Sequence, residues 1–282
     1  MNREALGKSA PPSSLLIEFN EPIEGILLKR YKRFFADVQL SDGSVVTAHC
    51  TNTGSMATVC EVGQPVVVSR ATNPERKLKY TWELIHCGGG WVGVNTAQPN
   101  HLVHRALGAG LIKEFKPLGD IRTEIVIKKG VRLDLSFEEE RGHRYNSSTV
   151  FIEVKNVSLK GWSDSNPSLE LPQKRPALFP DSVSERATKH LLELFELAQK
   201  GHRAVIFYVV QRLDCNEVQP AQAIDPIYAK TLHEVTHPQW GQKPIETIAY
   251  SFSATPRGIA IAHRLPVTTQ IGFKKGLQEG LT

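Results

Sequence analysis

Apolar positions along the chain fall into two rhythms. Over residues 15–84 they form short runs broken by turn residues, and residues 15–19, 25–28, 34–40, 45–49, 65–69 and 80–86 read as strands. Ser41-Asp42-Gly43-Ser44 stands between two of these runs, and Asp-Gly supplies the positive φ angles that a tight hairpin needs. Glu61-Val62-Gly63-Gln64 is a second turn. Several short strands without a helical period predict a small β-barrel or sandwich.

The second region alternates elements. Residues 99–111 carry Leu102, Val103, Ala106 and Leu107 at helical spacing. Residues 123–127 and 131–137 read as strands joined by the turn Lys128-Lys129-Gly130, and residues 149–157 as a third strand. A polar, proline-containing stretch follows over residues 163–176. The clearest helix spans residues 182–200, where Ser182 and Glu185 match a capping box. Val183, Ala187, Leu191, Leu194, Phe195 and Ala198 make its apolar stripe, and Gly201 is placed to end it. Residues 204–210 are continuously apolar, as a strand inside a sheet would be. The resulting division is a loose N-terminal arm (1–14), a barrel (15–86), an α/β domain (87–267) and a C-terminal tail (268–282).

Composition narrows the class. Hydrophobic residues make up 40% and charged residues 22% of the 282, enough for a core and unlike a disordered chain. The net charge of +5 permits an anionic partner without identifying one. The longest clean apolar run, residues 204–210, is far short of the roughly 20 residues a membrane helix needs. No apolar segment follows Met1-Asn2-Arg3-Glu4, so no secretory signal is expected. The four cysteines form no Cys-x-x-Cys pair, which argues against a zinc ribbon, a thioredoxin-like motif or a disulfide framework. The expectation is a reduced, cytoplasmic protein.

One constellation carries chemistry. In Phe151-Ile152-Glu153-Val154-Lys155-Asn156, strand alternation points Glu153 and Lys155 one way and Ile152 and Val154 the other, into a core. On the preceding strand, Arg132 and Asp134 would share one face and Leu133 and Leu135 the opposite one. Paired strands lie about 4.8 Å apart, so Asp134 and Glu153 could hold one divalent cation between them. Magnesium prefers oxygen ligands and needs only one or two protein carboxylates beside water and substrate phosphate. Lys155 could then orient the attacking water or neutralise charge building on the phosphate. A carboxylate and a lysine two apart are also common on a plain solvated strand face, so the upstream Asp134 and the element order carry the weight.

The order of elements and Asp134…Glu153-x-Lys155 resemble the core of the PD-(D/E)xK nuclease-like superfamily. More closely, the chain resembles the sugar fermentation stimulation protein family, SfsA. The matching stretches include Leu28-Lys29-Arg30-Tyr31-Lys32-Arg33-Phe34, Ala48-His49-Cys50-Thr51-Asn52-Thr53-Gly54-Ser55-Met56, Val131-Arg132-Leu133-Asp134-Leu135 and Phe179-Pro180-Asp181-Ser182-Val183-Ser184-Glu185-Arg186. The resemblance covers about residues 15–267. It implies an α+β two-domain protein: an N-terminal OB-like β-barrel followed by a PD-(D/E)xK nuclease-like α/β domain with a mixed sheet flanked by helices. It further implies DNA binding without marked sequence preference and a regulatory role in sugar, notably maltose, metabolism. Carried over residue by residue, Asp134 and Glu153 would be metal ligands for Mg²⁺ or Mn²⁺ and Lys155 the catalytic lysine. Glu124 would be an additional acid, and Arg186 and Lys189 would face substrate phosphate. Departures from the family pattern are Thr51 in place of Pro, Ala187 in place of Gly, Val131 in place of Ser, and a longer loop over residues 163–176.

The barrel has its own candidates. Lys29, Arg30, Lys32 and Arg33 surround Tyr31, with Phe34 and Phe35 beside them. Cations that neutralise phosphates and aromatic faces that stack on bases are what a single-strand groove uses, although a charged edge strand would look the same. Arg76, Lys77, Lys79, Tyr80 and Trp82 form a second such stretch. Asn52-Thr53-Gly54-Ser55 could offer amides and hydroxyls to a phosphate, or be a tight turn. Gly88-Gly89-Gly90 lacks the Lys-Ser/Thr of a phosphate loop and reads as a turn. His101 and His104 have no further ligand pair nearby. His49 beside Cys50 reads as a buried strand end, and His190 as a phosphate contact or the edge of a helix's polar face. Three functions stand open from the residues: a DNA-binding regulator, an active metal-dependent nuclease acting on DNA or RNA, and an interaction scaffold whose acidic site is a relic.

Overall fold

The computed structural model describes residues 14–141, 146–161 and 175–270. The expected arm, most of the loop over 163–176 and most of the tail fall outside them. Strand β1 (Ile17–Glu18) is followed by β2 (Ile23–Tyr31), β3 (Phe35–Leu40), β4 (Val45–His49), β5 (Pro65–Arg70), β6 (Tyr80–Cys87) and β7 (Gly90–Gly93). The last six form one sheet in the order β4-β3-β2-β5-β6-β7. β4 also pairs in parallel with β6, Ala48 opposite Tyr80 and His49 opposite Thr81, which closes β2 to β6 into an OB-like barrel. Leu27, Ala36, Val38, Ala48, Val66, Val68 and Trp82 fill its interior without water contact.

The expected turns form where glycine supplies positive φ. Gly43 sits at φ 83° beside Asp42, whose carboxylate accepts from the Ser44 amide at 2.9 Å and from its hydroxyl at 2.6 Å. Gly88 and Gly89, at φ 63° and 85°, make the turn of the β6–β7 hairpin, so the sheet runs past residue 86 to Gly93.

The second unit contains α1 (Gln98–Gly108), β8 (Pro117–Lys128), β9 (Val131–Arg141), β10 (Asn146–Val157), β11 (Leu159–Lys160) and β12 (Pro176–Phe179). It continues with α2 (Glu185–Gln199), β13 (Arg203–Val210), β14 (Glu217–Pro220), α3 (Pro226–Thr236), β15 (Glu246–Thr255) and β16 (Gly258–Leu265). Its main sheet has the order β1-β16-β15-β13-β10-β9-β8, with β10, β13 and β15 parallel and the flanking pairs antiparallel. Strands β11, β12 and β14 form a small accessory sheet. Helix α1 covers one face through Leu102, Val103, Ala106 and Leu107. Helices α2 and α3 cover the other through Leu191, Leu194, Tyr228 and Leu232.

Two expectations are corrected. The strand at residues 15–19 joins the α/β sheet instead of the barrel: β1 pairs with β16, Ile17 opposite Ile259. Leu16, Ile17 and Phe19 bury their side chains in the core beneath α1. Gly258 permits the approach, since a Cβ there would lie 2.0 Å from the Ile17 carbonyl oxygen. The second concerns α2, which starts at Glu185 and is capped by Ser184, whose hydroxyl accepts from the Ala187 amide at 3.1 Å. Asp225, the N-cap of α3, accepts from the Ser184 amide at 2.9 Å and holds Ser184 extended. Ser182 and Val183 therefore lie before the helix, and Val183 is exposed instead of joining the stripe. Strands β7, β11, β12, β14, β15 and β16 and helix α3 have no counterpart among the elements expected from the hydrophobic pattern.

Gly258→Ala should lower stability by about 1–3 kcal/mol, because the added methyl collides with backbone and not with a movable side chain. Gly108→Ala, where nothing lies within 4 Å, should be neutral or slightly stabilising. Urea unfolding midpoints of the two variants check the contrast.

Candidate functional site

Strands β9 and β10 pair from Asn146 opposite Arg141 to Ile152 opposite Leu135, and there their ladder ends. Beyond that point β10 continues only with β13, through Val157 opposite Val210, while β9 continues with β8. Asp134 stands at the parting. Its Oδ2 accepts from the Val154 amide at 2.8 Å, so a side chain takes the place of the missing strand partner. Its Oδ1 accepts from Asn100 Nδ2 of α1, also at 2.8 Å. The strand changes course here. Leu135 and Phe137 pack in the core on the α1 side, whereas Leu133 packs in the core on the α2 side. This corrects the expectation that Leu133 and Leu135 share a face.

Glu153 and Lys155 do point the same way, toward α2, while Ile152 and Val154 enter the opposite core. They are 3% and 9% exposed, and His190 of α2, facing them, is 5% exposed. Glu153 Oε1 accepts from Lys155 Nζ at 2.6 Å and contacts His190 Nδ1. Glu153 Oε2 is buried with no hydrogen-bond partner among the described residues. Burial opposes the charge on Glu153, but the His190 hydrogen bond and the Lys155 charge outweigh it and hold its carboxyl below the usual range. Burial, followed by repulsion from Glu153, pushes Asp134 up to about 6. The charge on Glu153 thus bears on the protonation of Asp134.

Asp134 and His190 line a cleft of about 810 Å³ together with Arg132, Arg186, Lys189 and Glu124. The fold thus brings the expected phosphate-facing cations of α2 to the carboxylates. Glu124 lies on the rim, at φ 55°, exposed and paired with Arg132 at 2.8 Å. Among the described residues no three His, Cys, Asp or Glu side chains gather as metal ligands. A second cleft, of about 420 Å³, opens on the α1 side of Asp134 and is lined by Asn100, His101 and His104.

The barrel candidates divide. Lys32 and Arg33 form the exposed β2–β3 turn at φ 49° and 63°, with exposed Phe34 next to them. Lys29 lies 4.7 Å from the centre of the Tyr31 ring, and Tyr31 stacks on Phe35. The strand register sets Tyr31, Phe35, His49 and Thr81 in one row across four strands. Burial and then the charge of Arg76 lower the His49 pKa, so the second basic stretch adjoins this row. Lys77 is exposed, whereas Arg76 and Lys79 donate to the carbonyls of Tyr80 and Pro74. Arg30 instead braces the following loop, donating to the carbonyls of Asn52 and Gly54 at 2.9 and 3.0 Å. Asn52 is buried and accepts from the Gly54 amide. Thr51, where the resemblance expects proline, tightens the loop: its hydroxyl donates to Asn95 and accepts from the Thr96 amide.

Asn100 has no role in the sequence reading, and His190 is expected there as a phosphate contact or the edge of a polar face, not as a partner of Glu153. Their contacts span 34 and 37 residues, and no local pattern marks a pair so far apart.

Comparison with known proteins accords with this architecture. The "SfsA N-terminal OB domain" matches residues 28–94, and the "Sugar fermentation stimulation protein RE domain" matches residues 97–258. The chain belongs to the SfsA family. It is 44% identical over 244 residues to a sugar fermentation stimulation protein homolog of Geobacter metallireducens, covering 86% of this chain and 95% of that one. A homolog of Maricaulis maris is 42% identical, with 86% and 94% covered. The solved structure of Pyrococcus furiosus SfsA, described as a complex with Ca²⁺, shares the fold at TM-score 0.74 and 22% identity, covering 91% and 100% of the two chains. No described helix is long and apolar enough to cross a membrane.

Asp134 predicts a pH dependence. A carboxyl whose pKa is raised on folding contributes most below its unfolded value, and that contribution is lost as pH rises through the folded one. Asp134→Asn should therefore match the wild type near pH 4 and exceed it by about 1–3 kcal/mol above pH 6. Urea titrations across that range test the sign.

Proposed function

We propose that the chain binds nucleic acid without sequence preference, DNA before RNA, and carries a nuclease-type site for Mg²⁺ or Mn²⁺ at Asp134 and Glu153. The observation that carries the reading is Glu153 Oε2, a buried acceptor without a partner among the described residues, on a side chain whose charge raises the pKa of a second carboxyl, Asp134. An orphaned carboxylate oxygen of this kind is costly unless something satisfies it, and a hard cation takes such oxygens. The description of the P. furiosus relative as a Ca²⁺ complex supports an oxygen-liganded cation in the family.

A bound divalent ion would supply positive charge against a phosphoryl oxygen and lower the pKa of its water. The chain's own residues do the rest. Lys155 helps keep Glu153 ionised and would be the lysine that neutralises charge building on the phosphate. Arg186 and Lys189 line the cleft as exposed cations and meet backbone phosphates on the α2 side. Lys29, Lys32, Arg33 and Lys77 give the barrel a cationic edge beside Tyr31 and Phe34, where bases can stack. The family's name, sugar fermentation stimulation protein, supports a regulatory role in sugar metabolism, notably of maltose, as the setting for such binding.

Labelled single- and double-stranded DNA and RNA incubated with Mg²⁺, Mn²⁺ or EDTA test this directly. Metal-dependent cutting should fall by at least about 100-fold in Asp134→Ala and in Lys155→Ala, the scale of a lost charge-stabilising group. Binding without cutting, equal in all three proteins, would remove the nuclease reading and leave the barrel as the working part. Affinity should fall steeply with salt, and the double variant Lys32→Ala, Arg33→Ala should flatten the log–log slope by about 1.5, two released counterions' worth.

A further inference from the structure

We infer that His190 is a positioning residue for the cation site: with Lys155 it holds one oxygen of Glu153 and thereby presents the other. The inference rests on Asp134 and Glu153 being that site. Both donors converge on Oε1, while Oε2 is left buried and bare. A pair buried merely to satisfy each other would be expected to cover both oxygens. Tyr208, opposite Lys155 in the parallel register, hydrogen-bonds Tyr228 at 2.7 Å and makes no bond to Oε2.

The two donors differ in what they fix. Lys155 ends a flexible stem on the same strand as Glu153, so it can follow the carboxylate if that group rotates. His190 is a planar ring on a different element. Its helix is anchored by the Ser184 cap and by Ala187, Leu191 and Leu194, all packed in the core. A ring held from outside the strand stops the carboxylate from turning Oε2 away. Partners that orient a metal-binding side chain typically change metal affinity by about 10–100-fold when removed.

The test is Mn²⁺ titration of the full chain, without nucleic acid, followed by electron paramagnetic resonance. Wild type should bind Mn²⁺, and Asp134→Asn should lose it. His190→Leu, similar in bulk but lacking the donor, should bind about 10–100-fold more weakly. His190→Asn should stay within a few-fold of wild type, since its amide nitrogen sits the same number of bonds from the backbone as Nδ1. If His190→Leu does not fold, as judged by its melting temperature, His190→Ala carries the same comparison. Unchanged affinity in His190→Leu overturns the positioning role and leaves the cation site standing. Equal weakening in His190→Leu and His190→Asn also overturns it, since the donor that asparagine retains would then count for nothing. Absence of Mn²⁺ binding by wild type overturns the site itself, and the inference with it.

Discussion

The parting of β9 from β10 is the constraint on which the site depends. A break in the ladder between β10 and β9, inside a seven-stranded sheet, leaves main-chain groups without their partners, and buried amides must bond to something. Asp134 answers with its own carboxylate on the Val154 amide. Beyond Ile152 the two strands diverge, Asp134 and His190 line the cleft that opens there, and Glu153 and Lys155 point toward α2, which carries His190. The same residue that repairs the backbone is thus drawn half-buried beside a second carboxylate.

Electrostatics then separates the two acids. Glu153 has a lysine and a histidine on one oxygen and is held ionised despite its burial. Asp134 has an amide and an asparagine, both neutral, and burial with the neighbouring charge pushes it up. The two carboxyls are driven in opposite directions, the kind of perturbation that clusters at functional sites. Arg186 and Lys189 of α2 place exposed positive charge at the cleft, on a chain whose net charge is only +5.

The barrel is tied to this site by polar contacts as well as by chain continuity. Glu83, buried in the barrel wall, accepts from Ser69 at 2.7 Å and from Asn95 at 2.8 Å, and Asn95 in turn accepts from Thr51 and from the Ala97 amide at the start of α1. Arg212 pairs with Asp214 and donates to the Ser158 carbonyl at 2.6 Å and to Thr58 of the barrel at 3.3 Å. The chain itself crosses twice: β1 lies in the α/β sheet, β2 to β7 form the barrel sheet, and α1 returns. Movement of the Asn52–Gly54 loop, braced by Arg30, would therefore be felt at the entry to α1, which carries Asn100 to Asp134.

Periodicity and turn chemistry by themselves determined most of the local elements. Asp42-Gly43 specified its hairpin, the stripe from Ala187 to Ala198 specified α2, and alternation set Glu153 and Lys155 against Ile152 and Val154, because these are properties of a few neighbouring residues. Only the tertiary structure decided which sheet takes Ile17, since an apolar run states that it will be buried and not against what. It also decided that Leu133 and Leu135 part company, because strand alternation assumes a continuous ladder and the ladder stops at Asp134. The N-cap of α2 moved from Ser182 to Ser184 through Asp225, a contact 41 residues away. His190 reads in the sequence as the edge of a polar face; it becomes the neighbour of Glu153 only when α2 is laid across β10, and no helical period encodes that crossing.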